Sequence, residues 1–380
     1  MNFEEHAAKP LLASAGIPVP EGRLVISADE AADAAAAIGK VVVKAQVPTG
    51  KRGKAGGIRL ANTPDEAREA AKAIFGMTIG VHRVERLLVE AQAPIASEMY
   101  AAVLNDPESK SPLLMFSAVG GMDIEEIAAE KPEALRKKPV DVRDGFSLDD
   151  ARNLLEGLDL GENSESIAET LAALYQVYAE NDAELLEINP LVSLKDGGIL
   201  ALDCKFVLDD SGIKRQQALS ERGSPEPLSQ MEAKAQALGL KYIELSGEIG
   251  LLANGAGLTM TTMDVISHHG GRPANFLEIG GEAYTKATPA LELLLANSGI
   301  KSLVVNFCGA FARTDVMTEG VINALEALKP DVPVFFSIHG TGAAEARALL
   351  KERLDVTPYP DMDAAIVAAI AAAGGEGAKT

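Results

Sequence analysis

Beyond about residue 249 the chain alternates short apolar runs with longer amphipathic stretches, and few folds accept that pattern. Ile249 to Ala253, Ala274 to Ile279, Ser302 to Phe307 and Pro333 to Ile338 read as strands buried on both faces, because their apolar residues run almost unbroken. Helical periodicity follows each, over 257–268, 285–297, 314–328 and 343–352, and a weaker strand near 354–358 precedes a last helix from Asp361. A βα repeat of this kind winds into a parallel sheet with helices on both sides. Its strands end in small-residue turns: Asn254-Gly255-Ala256-Gly257, Gly280-Gly281, Cys308-Gly309-Ala310 and His339-Gly340-Thr341-Gly342. Ligands of such sheets bind at the carboxyl ends of the strands, where helix N-termini favour anions. The turns are therefore a candidate carboxylate or phosphate site, although tight turn geometry alone accounts for part of the glycines.

The stretch Glu184 to Lys205 reads as a β-hairpin turning at Lys195-Asp196-Gly197-Gly198. Glu187 and Asn189 are two apart, so they share a face, and Asp203 closes the second strand. A hard dication such as Mg²⁺ takes one or two carboxylates, an amide carbonyl and substrate phosphates, and this hairpin carries the protein part of such a shell. An ordinary hairpin with its polar residues in water fits the same spacing.

A second chemical signal lies nearer the start. Val41 to Val47 is a β-branched strand carrying Lys44, and a lysine in an apolar strand needs an anionic partner. The loop PTGKRGKAGG follows over 48–57, with cations at Lys51, Arg52 and Lys54. Its glycines let the backbone approach a polyphosphate, but the spacing is not that of a Walker A loop. A flexible surface hairpin with solvated charges is the plainer alternative. Around this loop, residues 3–16, Asp29 to Ile38, Thr63 to Gly76, 148–159 and 163–180 read as helices, and Ile58 to Leu60, Arg86 to Ala91, Ile95 to Asn105 and Leu113 to Ala118 as strands. An acidic segment, Asp123 to Glu126, lies beyond Gly120-Gly121. Between about Asp209 and Lys241 periodicity weakens, which sets domains at 1–220 and 246–380 with a linker over 221–245.

Composition narrows the partners. A net charge of −20 excludes nucleic acid as a general ligand. The two cysteines, Cys204 and Cys308, lie in apolar runs and read as reduced, buried thiols, which points to the cytoplasm. No cationic start leads into an apolar run, and no stretch approaches the roughly 18 apolar residues of a membrane helix.

VVVKAQVPTGKRGKAGG, LLVEA, GGMDIEEIA, LEINPLV with LALDCK, and ANGAGLTMTTMDVISHHGGRPANFLEIGG occur in order at matching spacings along nearly the whole chain. Together they resemble the β subunits of succinyl-CoA synthetase and malate–CoA ligase. The resemblance implies an ATP-grasp fold followed by a flavodoxin-like CoA-ligase domain, and an ADP-forming acid–CoA ligase of the tricarboxylic acid cycle type. It implies that Lys44, Lys51, Arg52, Gly53, Glu90, Ala93 and Glu98 line the nucleotide, ATP or GTP, and that Asn189 and Asp203 hold Mg²⁺. It puts Glu187 opposite a phosphohistidine, and Asn254 with Ala310, Phe311 and Ala312 at the carboxylate substrate. None of His6, His82, His268, His269 and His339 stands in the Gly-His-Ala-Gly-like setting of the phosphorylated loop. That histidine and the CoA site are expected on an α subunit, in an αβ pair or its dimer. His268 and His269 end a helix and read as structural. Val89-Glu90-Ala91 is expected to offer backbone groups to a purine, which favours ATP.

Departures from the family pattern cluster at the substrate loop. Gly309-Ala310-Phe311-Ala312-Arg313 replaces Gly-Gly-Ile-Val-Arg, Ser337-Ile338-His339-Gly340-Thr341-Gly342 replaces Arg-Leu-Glu-Gly-Asn-Asn, and Val119 stands where a glutamate is usual. These changes add an apolar wall and remove a possible ion pair, so a malate-like, other hydroxy- or sulfonated acid is expected before succinate, with Asn254 and Arg313 holding its anionic end. A stand-alone ATP-grasp ligase of another type, and a non-catalytic nucleotide- or CoA-binding subunit, are the alternatives.

Overall fold

The computed structural model describes residues 1–121, 124, 132–225, 228–279 and 283–374. The chain divides into two compact units, Met1–Glu226 and Pro227–Thr380.

The first unit contains two large antiparallel sheets and a two-stranded ribbon, Thr78–Ile79 with His82–Arg83. In the smaller of the two sheets, the strands run in the order Gly22–Val25, Arg86–Ala91, Val41–Gln46, Ile58–Ala61. Val41, Val43 and Ala45 alternate with Val42, Lys44 and Gln46, so one face is apolar and packs with Leu87 and Val89 under the helices Ala28–Ile38 and Pro64–Ile74. The opposite face carries Val42, Lys44 and Glu90 to the site. Ser27 and Thr63 cap the two helices through Glu30 and Glu66 backbone N–H groups, as the sequence pattern requires.

In the larger sheet the order is Ile199–Ala201, Ala183–Leu194, Ile95–Asp106, Ser111–Ser117, Leu135–Pro139, with Lys205–Leu208 also pairing Ala183–Leu194. Glu5–Ser14, Leu148–Leu155 and Ser164–Glu180 supply the helical layer of its core. The expected hairpin is present, but its long strand changes partner midway. Glu187 pairs Lys205, Leu191 pairs Ala201, and Asn189-Pro190 sits at the register shift between them. That shift takes Asn189 out of the ladder, while Glu187, still paired with Lys205 and Ala102, lies just before it, and both border a cavity.

The second unit is a five-stranded sheet in the order Lys241–Glu244, Asn275–Glu278, Ile249–Ala253, Ser302–Gly309, Val334–Gly340. The last four strands are parallel. Leu252, Leu303 and Val305 are buried toward one helical layer and Ile249, Leu251 and Val304 toward the other, which is why these strands read as unbroken apolar runs.

Several expectations are corrected. Within 221–245, read as linker, lie the helix Gln230–Ala237, started by a Ser229–Glu232 capping box, and the antiparallel edge strand Lys241–Glu244. The expected strand over 354–358 is a single bridge from Ser337 to Tyr359, since Pro358 and Pro360 lack the N–H that a ladder needs. Cys204 is buried as expected, but Cys308 is exposed, because it lies at the carboxyl end of its strand, where the helices no longer cover the sheet. Gly280-Gly281 and the acidic segment 123–126, apart from Ile124, lie outside the described residues.

Candidate functional site

Lys44 enters the site from an apolar strand and is 7% exposed, so its charge must be met inside the protein. It lies 2.9 Å from Glu5 Oε1 and 2.6 Å from Glu90 Oε2, and donates to the Leu202 carbonyl at 2.6 Å. Lys9 repeats the pattern, 2.7 Å from Glu5, 2.6 Å from Glu90 and 2.9 Å from the same carbonyl. Arg52 closes the network. Its Nη2 donates to both Asp203 oxygens at 2.7 and 2.8 Å, and its Nη1 lies 2.7 Å from Glu5 Oε2. Burial pushes the Glu5 carboxyl up, but Lys44, Lys9 and Arg52 overcome it and hold the group well below the ordinary carboxylate range. Burial pulls Lys44 down, and Glu5, Glu90 and Asp203 more than reverse it. Arg52 is raised against the same penalty by Asp203 and Glu5. All three groups are therefore fixed in their charged forms.

Glu5 and Lys9 were not singled out from sequence. Their signal was available: 5, 8, 9 and 12 fall on one helical face, and Ala8 and Leu12 on that face are buried. A charged i,i+4 pair among buried apolar neighbours faces the interior, not water.

The network borders a cavity of about 520 Å³, within the range of small-molecule and cofactor sites. Lys44, Lys51, Arg52, Gly53, Glu90 and Ala93 line it, together with Asn189 and Asp203. Pro20, Val42, Leu60 and Ile95 give it an apolar wall. A smaller cavity of about 210 Å³ adjoins it and is lined by Glu187. Lys51, Arg52, Asn189 and Asp203 line both. The Asn189 amide oxygen accepts from Gly121 N at 3.0 Å, and the Tyr100 hydroxyl lies 3.5 Å from Glu187 Oε2. The cationic loop is folded tightly. A side chain at Gly57 would meet Ile79 at 2.7 Å, and Lys51 takes a left-handed φ of 63°.

Glu98 departs from the expected nucleotide set. It is exposed on the strand Ile95–Asp106, beside Gly121, and lines neither cavity. Of the backbone Val89-Glu90-Ala91, the Val89 and Glu90 groups are taken up by neighbouring strands, while Ala91 lines the larger cavity. The strand is interior, so Val89 pairs both Arg23 and Val43, Glu90 pairs both Gly22 and Val42, and Ala91 N donates to Glu21 O at 2.9 Å.

In the second unit, Asn254 and the turn 310–312 come together at the carboxyl edge of the sheet. The Asn254 carboxamide is committed to backbone, donating to Cys308 O at 2.9 Å and accepting from Cys308 N at 2.8 Å. It thereby ties the end of its own strand to Cys308, just before the turn 310–312. Ala310 and Phe311 are exposed, Phe311 completely, and Ala312 packs on the core. Arg313 is paired with Asp315 at 3.0 Å and Glu345 at 3.3 Å. His269 lies 3.0 Å from Asp363, in keeping with a structural role.

A sequence model of the ATP-grasp domain matches residues 2–193, and one of the CoA-ligase domain matches residues 252–369. The succinate–CoA ligase [GDP-forming] subunit beta of Thermus thermophilus is 43% identical over 377 residues, covering 99% of this chain and 100% of that one. The chain belongs to the succinate–CoA ligase β-subunit family. The ADP-forming counterpart from Chloroflexus aurantiacus is 42% identical over 380 residues, with 99% and 100% covered. The ATP citrate lyase of Methanothrix soehngenii, solved with citrate and coenzyme A, superposes with a TM-score of 0.71 over 97% of this chain and 99% of that one. At 24% identity that likeness speaks for the fold alone. As a succinate–CoA ligase β-family member, the protein is a subunit of a nucleotide-dependent acid–CoA ligase, an acid–thiol ligase, and it has an α-subunit partner. No helix among the described residues is long and apolar enough to cross a membrane.

Proposed function

We propose that this β subunit binds nucleotide in the larger cavity of its first unit and hands the terminal phosphoryl group toward the smaller one. The observation that carries this reading is the shared border of the two cavities. Lys51, Arg52, Asn189 and Asp203 line both, while the apolar wall lies only in the larger and Glu187 only in the smaller. Base and ribose fit the apolar wall, the phosphates fit the cations, and a histidine of the α subunit meets the phosphoryl group beside Glu187. That phosphohistidine then phosphorylates the acid, and CoA displaces phosphate to give the thioester. Lys44 and Arg52 neutralise the oxygens of the phosphoryl group as it moves. Asn189 and Asp203 would hold Mg²⁺. Two hard oxygen donors beside a phosphate site suit that ion, which supplies further charge neutralisation when bound. The bond between Arg52 and Asp203 must loosen for this.

ATP is favoured over GTP. The cavity's carboxylates among the described residues, Glu90 and Asp203, are both committed to cations, which leaves no carboxylate for guanine's N–H donors. The acid is proposed to be a hydroxy- or sulfo-carboxylate, supported by Ala310 and by the fully exposed Phe311, which is free to cover a small ligand. The test is co-production with the α subunit, sizing of the αβ pair or its dimer, and a panel of small acids assayed for thioester formation. Activity only with the α subunit is expected. Phosphorylation of the isolated chain on its own histidine would refute the reading, and succinate outranking every other acid would refute the substrate choice.

A further inference from the structure

Glu5 lies where three cations meet. Its side chain is 1% exposed and within 2.9 Å of Lys9, Lys44 and Arg52. Counted together, Glu5, Glu90 and Asp203 oppose Lys9, Lys44 and Arg52, so three anions balance three cations. A polyphosphate entering the cavity thus meets, in Lys44 and Arg52, cations whose charge is already neutralised from within.

The bonds of Glu5 are unequal. Oε1 is held by both lysines, and Lys9 lines neither cavity, so it anchors Glu5 from behind. Oε2 lies 2.7 Å from Arg52 Nη1, which also donates to the Ala45 carbonyl at 3.1 Å. The Arg52 contact is therefore a single ion pair through one of the two N–H groups of Nη1. A phosphate oxygen can take the place of Oε2 on Arg52 while both lysines stay on Oε1 and Ala45 stays on Nη1.

We propose that Glu5 is a positioning residue that stands in for a phosphate: it holds Lys44 and Arg52 beside the cavity before nucleotide binds and yields Arg52 to the phosphates when nucleotide arrives. The inference rests on the nucleotide reading of the cavity. It makes binding and turnover respond in opposite directions to one change. Neutralising Glu5 leaves an excess cation, which attracts polyphosphate, but frees Lys44 and Arg52 from the geometry that transfer needs.

Calorimetry with metal-free ADP and inorganic tripolyphosphate on the full chain, and turnover of the chain with its α subunit, test this. Glu5→Gln is expected to tighten tripolyphosphate about tenfold while kcat falls about tenfold or more, and Glu5→Asp to stay within about threefold of the parent on both. Unchanged or weakened tripolyphosphate binding in Glu5→Gln overturns the proposal and leaves Glu5 a purely structural residue. Should Glu5→Gln fail to fold, the charge-balanced Glu5→Gln/Lys9→Met variant takes its place. Its tripolyphosphate affinity is expected within about threefold of the parent with kcat still reduced, and a tenfold tightening there would overturn the charge argument. A parent chain that binds neither ADP nor tripolyphosphate refutes the nucleotide reading itself. A parent that binds both, with an unmoved Glu5→Gln, refutes only the role of Glu5.

Discussion

Replacing Asp203 with alanine separates what the network does for stability from what it does for phosphoryl transfer. Asp203 accepts from Arg52 at 2.7 and 2.8 Å and from Cys204 N at 2.8 Å. Arg52 is only 5% exposed, so losing its sole partner would cost about 3–5 kcal/mol. Asp203 is not its sole partner. Glu5 lies 2.7 Å away on the other nitrogen and the Ala45 carbonyl accepts at 3.1 Å. The expected stability loss is therefore closer to the 1–3 kcal/mol of one broken charged hydrogen-bonded pair, and the chain stays folded at assay temperature. Turnover is another matter. If Asp203 helps hold Mg²⁺–nucleotide, Asp203→Ala lowers kcat/KM by about a hundredfold or more, which is about 2.7 kcal/mol. The assay is nucleotide-dependent thioester formation by the αβ pair across a magnesium titration, with melting followed in parallel. Asp203→Asn keeps the volume and loses the charge, so it should recover stability better than activity. A rate within about threefold of the parent, with the fold intact, would refute the metal assignment.

Three further outcomes are expected. Because the Glu5 carboxyl is held below its ordinary value of 4.5, its stabilising effect is present above that pH and is lost as pH falls through the lower folded value; melting temperature against pH should show a shallower acid limb in Glu5→Gln. The double change Ala310→Gly/Phe311→Ile should move relative kcat/KM toward succinate by about tenfold, or about 1.4 kcal/mol, and an unmoved preference would mean that the loop does not touch the acid. At equal concentration ATP should support faster turnover than GTP, and the reverse order would show that guanine's donors find an acceptor among the cavity groups.

How much of this was legible in the sequence depends on what each residue is surrounded by. The parallel strands Ile249–Ala253 and Ser302–Gly309 announce themselves because both faces are buried and no polar residue is needed on either. The edge strands Gly22–Val25, Leu135–Pro139 and Lys241–Glu244 do not, since much of each is exposed and their residues are charged or mixed. Lys44 was legible for the converse reason: a cation in an apolar strand demands an anion. The sequence could not say which anion. It suggested a ligand, and the fold supplies Glu5 and Glu90 first. The same blindness to partners explains the backbone of Val89 and Glu90, which neighbouring strands take up on both sides. It also explains Asn254, whose carboxamide serves the Cys308 backbone. In each case chemistry read from one residue was right about the need and silent about the supplier, because the supplier is chosen by tertiary topology. For a phosphate site this has a physical consequence. Cations that already hold internal anions are stable and correctly placed without a ligand, so nucleotide affinity here is a difference between two sets of charge contacts and not the sum of one.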